Sequence, residues 1–100
     1  MMKAEAMLRT GDAAGALIIV NDLRVKRGAT PFATLTLDNL IDERGREMYW
    51  EGWRREDLIR FGKFLETWQL KPSDDPKYLL FPIPTSDLSV NKNLVQNTGY

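Results

Sequence analysis

Residues Leu37–Leu65 read LDNLIDERGREMYWEGWRREDLIRFGKFL, and the fold class turns on the periodicity inside this stretch. Leu37, Leu40, Ile41, Arg44 and Met48 recur three or four residues apart, a spacing that puts them on one face of a helix. Beyond Gly52, Leu58, Ile59, Phe61, Phe64 and Leu65 form a second apolar group. The pattern predicts a helix, a break at Gly52 and a second helix. Arg44 is the odd member of the first stripe. A guanidinium set among apolar side chains requires a carboxylate partner, because an unpaired buried charge costs several kcal/mol.

A column of acids accompanies the stripe. Glu43, Glu47 and Glu51 are spaced by four, so they stack on one side of the helix and repel by roughly 0.2–0.5 kcal/mol per pair. Such a column is stable only when cations answer it. Arg44, Arg46, Arg54 and Arg55 are the nearest in sequence. Arginine suits this task better than lysine because its planar fork binds a carboxylate through two hydrogen bonds. The predicted ion-pair network is therefore Glu43, Arg44, Glu47, Glu51, Arg54 and Arg55.

Outward from this centre the chain reads as mostly α. Met1–Arg9 is predicted as helix without a capping residue, with Ala4, Met7 and Leu8 as its apolar edge. Gly11 marks its end and Asp12 caps the next helix. That helix runs from Ala13 to Lys26, buries Ala16, Leu17, Val20 and Leu23, and stops at Gly28. The run Leu8-x-x-Gly11-Asp12-x-x-Gly15-Ala16-Leu17 resembles the turn of a tetratricopeptide helix pair. Gly28–Leu35 is a loop broken by Pro31. Thr36 caps the central helix, and Asn39 stands where a full capping box has Glu or Gln. Toward the C-terminus, Lys71–Lys77 is a loop, Tyr78–Phe81 a short apolar run expected to press on the helices in extended form, and Pro82 and Pro84 forbid regular helix after it. Ser86 or Asp87 caps a turn around Leu88. Asn91–Tyr100 is an irregular tail whose expected anchors are Leu94, Val95 and Tyr100.

Composition narrows the function. One hundred residues suffice for one small core, and residues 1–100 read as a single domain. Fourteen Lys and Arg balance fourteen Asp and Glu, which argues against nucleic acid as a partner, since phosphates call for a basic patch. Histidine and cysteine are absent. That removes the usual general base, the commonest metal ligands and any disulfide. The glutamate column could hold a metal or serve acid–base chemistry. Di-metal helical bundles, however, combine Glu with a Glu-x-x-His unit, and structural ion pairing is the expected reading. No catalytic residue, metal site or cofactor is predicted.

Three blocks carry a resemblance: Glu43–Glu47, ERGRE; Glu51–Lys63, E-G-x-R-x-x-D-L-I-R-x-G-K; and the tail with Phe81-Pro82-Ile83-Pro84, Asn93-Leu94, Gln96-Asn97 and Gly99-Tyr100. Together they resemble the C-terminal part of the SusD/RagB family of nutrient-binding outer-membrane lipoproteins, over about Ala4–Tyr100. Lys92 and Thr98 stand where that family's tail usually carries proline. The resemblance implies a mostly α fold of tetratricopeptide-like helix pairs with a long irregular C-terminal tail. It implies a parent protein that captures an oligosaccharide or other nutrient at the cell surface without altering it, and hands it to a TonB-dependent (SusC-like) outer-membrane transporter. Intact members carry an export signal and a lipidated cysteine ahead of a longer body. MMKAEAMLRTGD has neither, so the chain is expected to be a fragment packed against the rest of its parent chain. In the family, ligand contacts come largely from other regions. Trp50, Trp53 and Trp68, with Tyr49, are the candidates here for stacking on sugar rings, against a simpler expectation that they serve the core and contacts with the rest of the parent chain. The rival function is a free-standing tetratricopeptide-like protein-interaction module, which would lack the FPIP-to-NTGY tail.

Overall fold

A computed structural model describes the whole chain, Met1–Tyr100. It is helical, with α1 Met2–Arg9, α2 Ala13–Lys26, α3 Leu37–Glu47, α4 Arg54–Arg60 and α5 Thr85–Val90, and a short 3-10 turn at Pro76–Leu79. No strand forms; Trp68 and Lys71 make a single isolated bridge. The contacts divide into two compact units, Met1–Asp57 and Leu58–Tyr100.

The first unit is built on the α1–α2 pair, whose turn follows from its sequence. Thr10 returns its hydroxyl to the Ala6 carbonyl at 2.9 Å, and Gly11 takes φ +96°, a left-handed conformation that favours glycine. Asp12 then caps α2 by accepting from the Gly15 amide at 2.8 Å. Gly15 sits inside a helix, where glycine is unfavourable by about 1 kcal/mol relative to alanine. Space explains it: a Cβ there would meet Met7 Cε at 2.3 Å and Asp12 Oδ2 at 2.4 Å. Ala4 on α1 and Ala16 on α2 are wholly buried, and these small side chains let the two helices approach closely.

Residues 27–36 are irregular but fixed to α2 by two side chains. The Asn21 carboxamide pairs with both backbone groups of Phe32: its Nδ2 donates to the Phe32 carbonyl at 2.9 Å, and its Oδ1 accepts from the Phe32 amide at 2.7 Å. Arg24 donates through Nε to the Thr30 carbonyl at 2.8 Å and lies over the Phe32 ring, 3.8 Å from its centroid. Thr36 then caps α3. Asn39 closes the capping box itself, accepting from the Thr36 amide at 2.9 Å. Val20, Leu35, Leu40 and Ile41 complete the apolar core of this unit.

The break after α3 spans residues 48–53, with Trp50 at φ +67° and Gly52 at φ +79°. α4 stops at Arg60, and Gly62 at φ +72° follows it. The stop falls close to Gly62 or Lys63, where the sequence places the end of this helix, and Phe64 and Leu65 follow it.

The second unit is organised differently. Leu58 is its one buried apolar side chain. Tyr78 and Leu79 fall in the 3-10 turn, because Asp75 caps it and Pro76 supplies the pre-set first residue. The run Tyr78–Phe81 has its side chains exposed, which corrects the expectation of a segment pressed inward. The tail anchors also differ from expectation. Leu94 and Val95 are exposed, and polar groups do the holding. The Gln96 carboxamide pairs with both backbone groups of Ile83, at 2.8 and 2.9 Å. Asn97 Nδ2 donates to the Phe81 carbonyl at 2.7 Å, and the Tyr100 hydroxyl donates to the Leu80 carbonyl at 3.0 Å.

Candidate functional site

The ion pairs form two clusters on α3. In the first, Arg44 is 2% exposed and meets Asp57, also 2% exposed, through a two-pronged fork: Nε to Oδ2 at 2.9 Å and Nη2 to Oδ1 at 2.8 Å. Its remaining nitrogen, Nη1, lies 3.8 Å from Glu5 Oε2, and Glu5 in turn accepts from Arg9 Nε at 2.9 Å. The sequence requirement that Arg44 find a carboxylate is met, but not by the glutamate column. A fork needs an acid directly across from it, and α4 and α1 supply Asp57 and Glu5.

In the second cluster the glutamate column turns to α2. Glu43, buried, accepts from Arg24 Nη1 and from Arg46 through Nε at 3.0 Å and Nη2 at 2.7 Å. Glu47 takes both prongs of Arg27, at 3.1 and 2.7 Å. The Arg27 hydrogen bonds hold the Glu47 carboxyl below the usual carboxylate range, and Glu47 raises the Arg27 guanidinium in return. Arg24 and Arg27 sit toward the end of α2, and Arg46 lies in the last turn of α3. Cations there also complement the negative ends of the two helices.

Of the six residues expected to form one network, the structure brings together fewer. Glu51 is exposed beyond the end of α3. Arg54 crosses α3 at Gly45, where a Cβ would lie 2.8 Å from Arg54 Nη1. That nitrogen donates to the Ile41 carbonyl at 2.9 Å, and Nη2 lies 3.8 Å from Asp42 Oδ1. Arg54 thus clamps the inter-helix break to α3 without touching the glutamate column. Arg55 is half-buried near the start of α4. Sequence reasoning missed Arg24, Arg27, Glu5 and Asp57 as partners. Two signals were available: Arg24 and Arg27, three apart, share a helix face as Glu43 and Glu47, four apart, share another, and Glu5 and Arg9 are a four-spaced pair.

The aromatic candidates are all on the surface. Trp50 is 87% exposed, Trp53 48% and Trp68 46%, with Tyr49 exposed beside Trp50. This corrects the core half of the expectation, since no tryptophan of this chain enters its own core, and leaves their surfaces available for the other half, contacts outside this chain. The Tyr49 and Trp50 rings meet edge to face, 5.9 Å apart at 89°. Trp68 lies in the second unit, at the bridge to Lys71, where Gln69 turns the chain at φ +46°.

A family model described as the SusD family matches residues 1–78. The chain is also 41% identical over 111 aligned residues to the starch-binding protein SusD of Bacteroides thetaiotaomicron. That alignment covers 100% of this chain and 20% of the relative, so the chain spans about one fifth of the relative's length. The ERGRE and E-G-x-R-x-x-D blocks lie inside the matched span, and they supply Arg44 and Asp57, the two ends of the buried fork. On this evidence the chain belongs to the SusD family.

Proposed function

We propose that this chain is part of a non-catalytic nutrient-binding protein, and that it serves there as helical scaffold. The parent captures a glycan or similar oligosaccharide at the outer-membrane surface, where a lipid anchor holds it. It then passes the ligand to a TonB-dependent, SusC-like transporter. The observation that carries this reading is the 41% identity, over the full chain, to a protein named for starch binding.

The geometry supports the scaffold role. The fork from Arg44 to Asp57 and the pairs from Glu43 and Glu47 to Arg24 and Arg27 tie helices together at fixed distances. A capture protein needs a rigid frame, because binding affinity is lost whenever the site must be ordered on arrival of the ligand. Affinity itself comes from a shaped polar and aromatic surface, and Trp50, Trp53 and Trp68 are the exposed rings this segment contributes.

Calorimetric titration of the full-length protein with a panel of soluble glycans tests the reading. Saturable binding, with every oligosaccharide recovered intact, is the expected result. Cleavage of the ligand, or no binding across the panel, overturns it. Co-purification with the neighbouring transporter tests the hand-off.

A further inference from the structure

In the second unit, a cleft of about 500 Å³ opens between the 3-10 turn and the folded-back tail, lined among others by Asp75, Lys77, Leu80, Gln96, Asn97 and Thr98. Its volume falls within the roughly 300–1,000 Å³ typical of small-molecule sites. The contacts that close the tail onto the turn leave several polar atoms unspent. Asp75 accepts from the Lys77 amide through Oδ1 at 2.9 Å and keeps Oδ2. Asn97 gives Nδ2 to the Phe81 carbonyl and keeps Oδ1. The Lys77 ammonium is held 5.1 Å from the Tyr78 ring centroid and 5.6 Å from that of Tyr100, which positions it without using its three N–H donors. Thr98 adds a hydroxyl.

The chemistry of this set selects a ligand class. One carboxylate and one ammonium make the cleft neutral as a whole. An anion would face Asp75, a cation would face Lys77, and an apolar ligand would strip water from every polar group without replacing its hydrogen bonds. A neutral polyol fits, because each hydroxyl both donates and accepts. A hydroxyl can donate to a carboxylate such as that of Asp75 or an amide oxygen such as that of Asn97, and accept from an ammonium such as that of Lys77. We propose that this cleft binds one neutral hexose unit, such as the end of an oligosaccharide. The inference rests on the nutrient-binding reading above and assigns this segment a ligand contact of its own.

The test is chemical-shift mapping of the full 100-residue chain with maltose, maltotriose and glucuronate. Maltose should shift the resonances of Asp75, Lys77, Asn97 and Thr98. Asp75→Asn keeps a turn-capping oxygen and replaces the unspent acceptor with a donor. Thr98→Val keeps the shape and removes the hydroxyl. Asp75→Asn should weaken binding about tenfold, and Thr98→Val by a few-fold. Glucuronate should bind no more tightly than maltose. Tighter glucuronate binding would make Lys77 an anion site and overturn the neutral-polyol assignment. Maltose shifts confined to Tyr49–Trp53, or unchanged affinity in both variants, would overturn the cleft while leaving the nutrient-binding reading standing. No shift with any saccharide would overturn the cleft, and a positive glycan titration of the full-length protein would then still uphold that reading.

Discussion

The two units hold themselves together by different means. Met1–Asp57 buries six apolar side chains and, among them, four charges: Glu5, Glu43, Arg44 and Asp57. Leu58–Tyr100 buries Leu58 and relies on carboxamides and a tyrosine hydroxyl bonded to backbone. The difference teaches what each region resists. A buried fork of charges tolerates very little displacement, because separating the partners strands a charge in low dielectric. An amide strap across exposed chain can open, since water replaces its bonds at small net cost.

The largest expected effect comes from breaking the buried fork. Arg44→Met strips the buried Asp57 of the two-pronged Arg44 fork and should destabilise the first unit by about 3–5 kcal/mol. Arg44→Met combined with Asp57→Leu removes both charges and should be less destabilised than the single variant. Urea denaturation followed by circular dichroism reads both. If the double variant proves the less stable of the two, the fork contributes more than mutual neutralisation and the argument fails.

The carboxamide pairs allow the two units to be compared directly. Asn21 and Gln96 make the same two bonds to backbone 11 and 13 residues away, one in each unit. Asn21→Leu should cost about 1–3 kcal/mol and lower the urea midpoint, because its loop is sealed onto a packed helix. Gln96→Leu should instead speed amide exchange across residues 81–97, with little change in the midpoint. Equal shifts in the midpoint would mean that the second unit unfolds as cooperatively as the first.

Trp50 offers a smaller effect of opposite sign. A non-glycine residue at φ +67° carries backbone strain, and a side chain 87% exposed recovers little of it through burial. Trp50→Gly should therefore raise stability by up to about 1 kcal/mol. A loss of stability on that substitution would show that the indole makes contacts worth more than the strain.

Local signals were the legible ones. Asp12 and Thr36 cap the helices they were read to cap, and α2 begins and ends at Ala13 and Lys26, because a cap depends on residues three positions away. The family was legible for a similar reason: its blocks are contiguous. The need of Arg44 for an acid was readable from its place in the stripe, yet its partners were not, since Glu5 and Asp57 approach only through the packing of three helices. Asn39 closing a capping box was missed because its side chain is one methylene shorter than the usual glutamine. Gly15 and Gly45 are explained only by what occupies the space beside them, Met7 and Arg54. The tryptophans were legible only in part: large rings usually dominate burial, but this chain's own core is closed by alanine, valine, leucine and isoleucine.

The smallest effect separates buried from exposed charge within the first unit. Arg27 and Glu47 make the same two-pronged fork as Arg44 and Asp57, but the Arg27 side chain is 63% exposed. Arg27 lowers the Glu47 pKa, so the pair's contribution is present above the ordinary carboxylate range and is lost as pH falls through the depressed value. The raised Arg27 value lies too far on the basic side to add any dependence near neutrality. The urea midpoints of the wild type and Glu47→Gln should therefore differ slightly near neutral pH and converge in acid. Added salt should shrink the neutral-pH gap, since solvent ions screen an exposed pair. The penalty of Arg44→Met should barely respond to salt, because ions do not enter a buried fork. A salt-sensitive Arg44 variant beside a salt-insensitive Glu47 variant would reverse the assignment of which fork the protein core encloses.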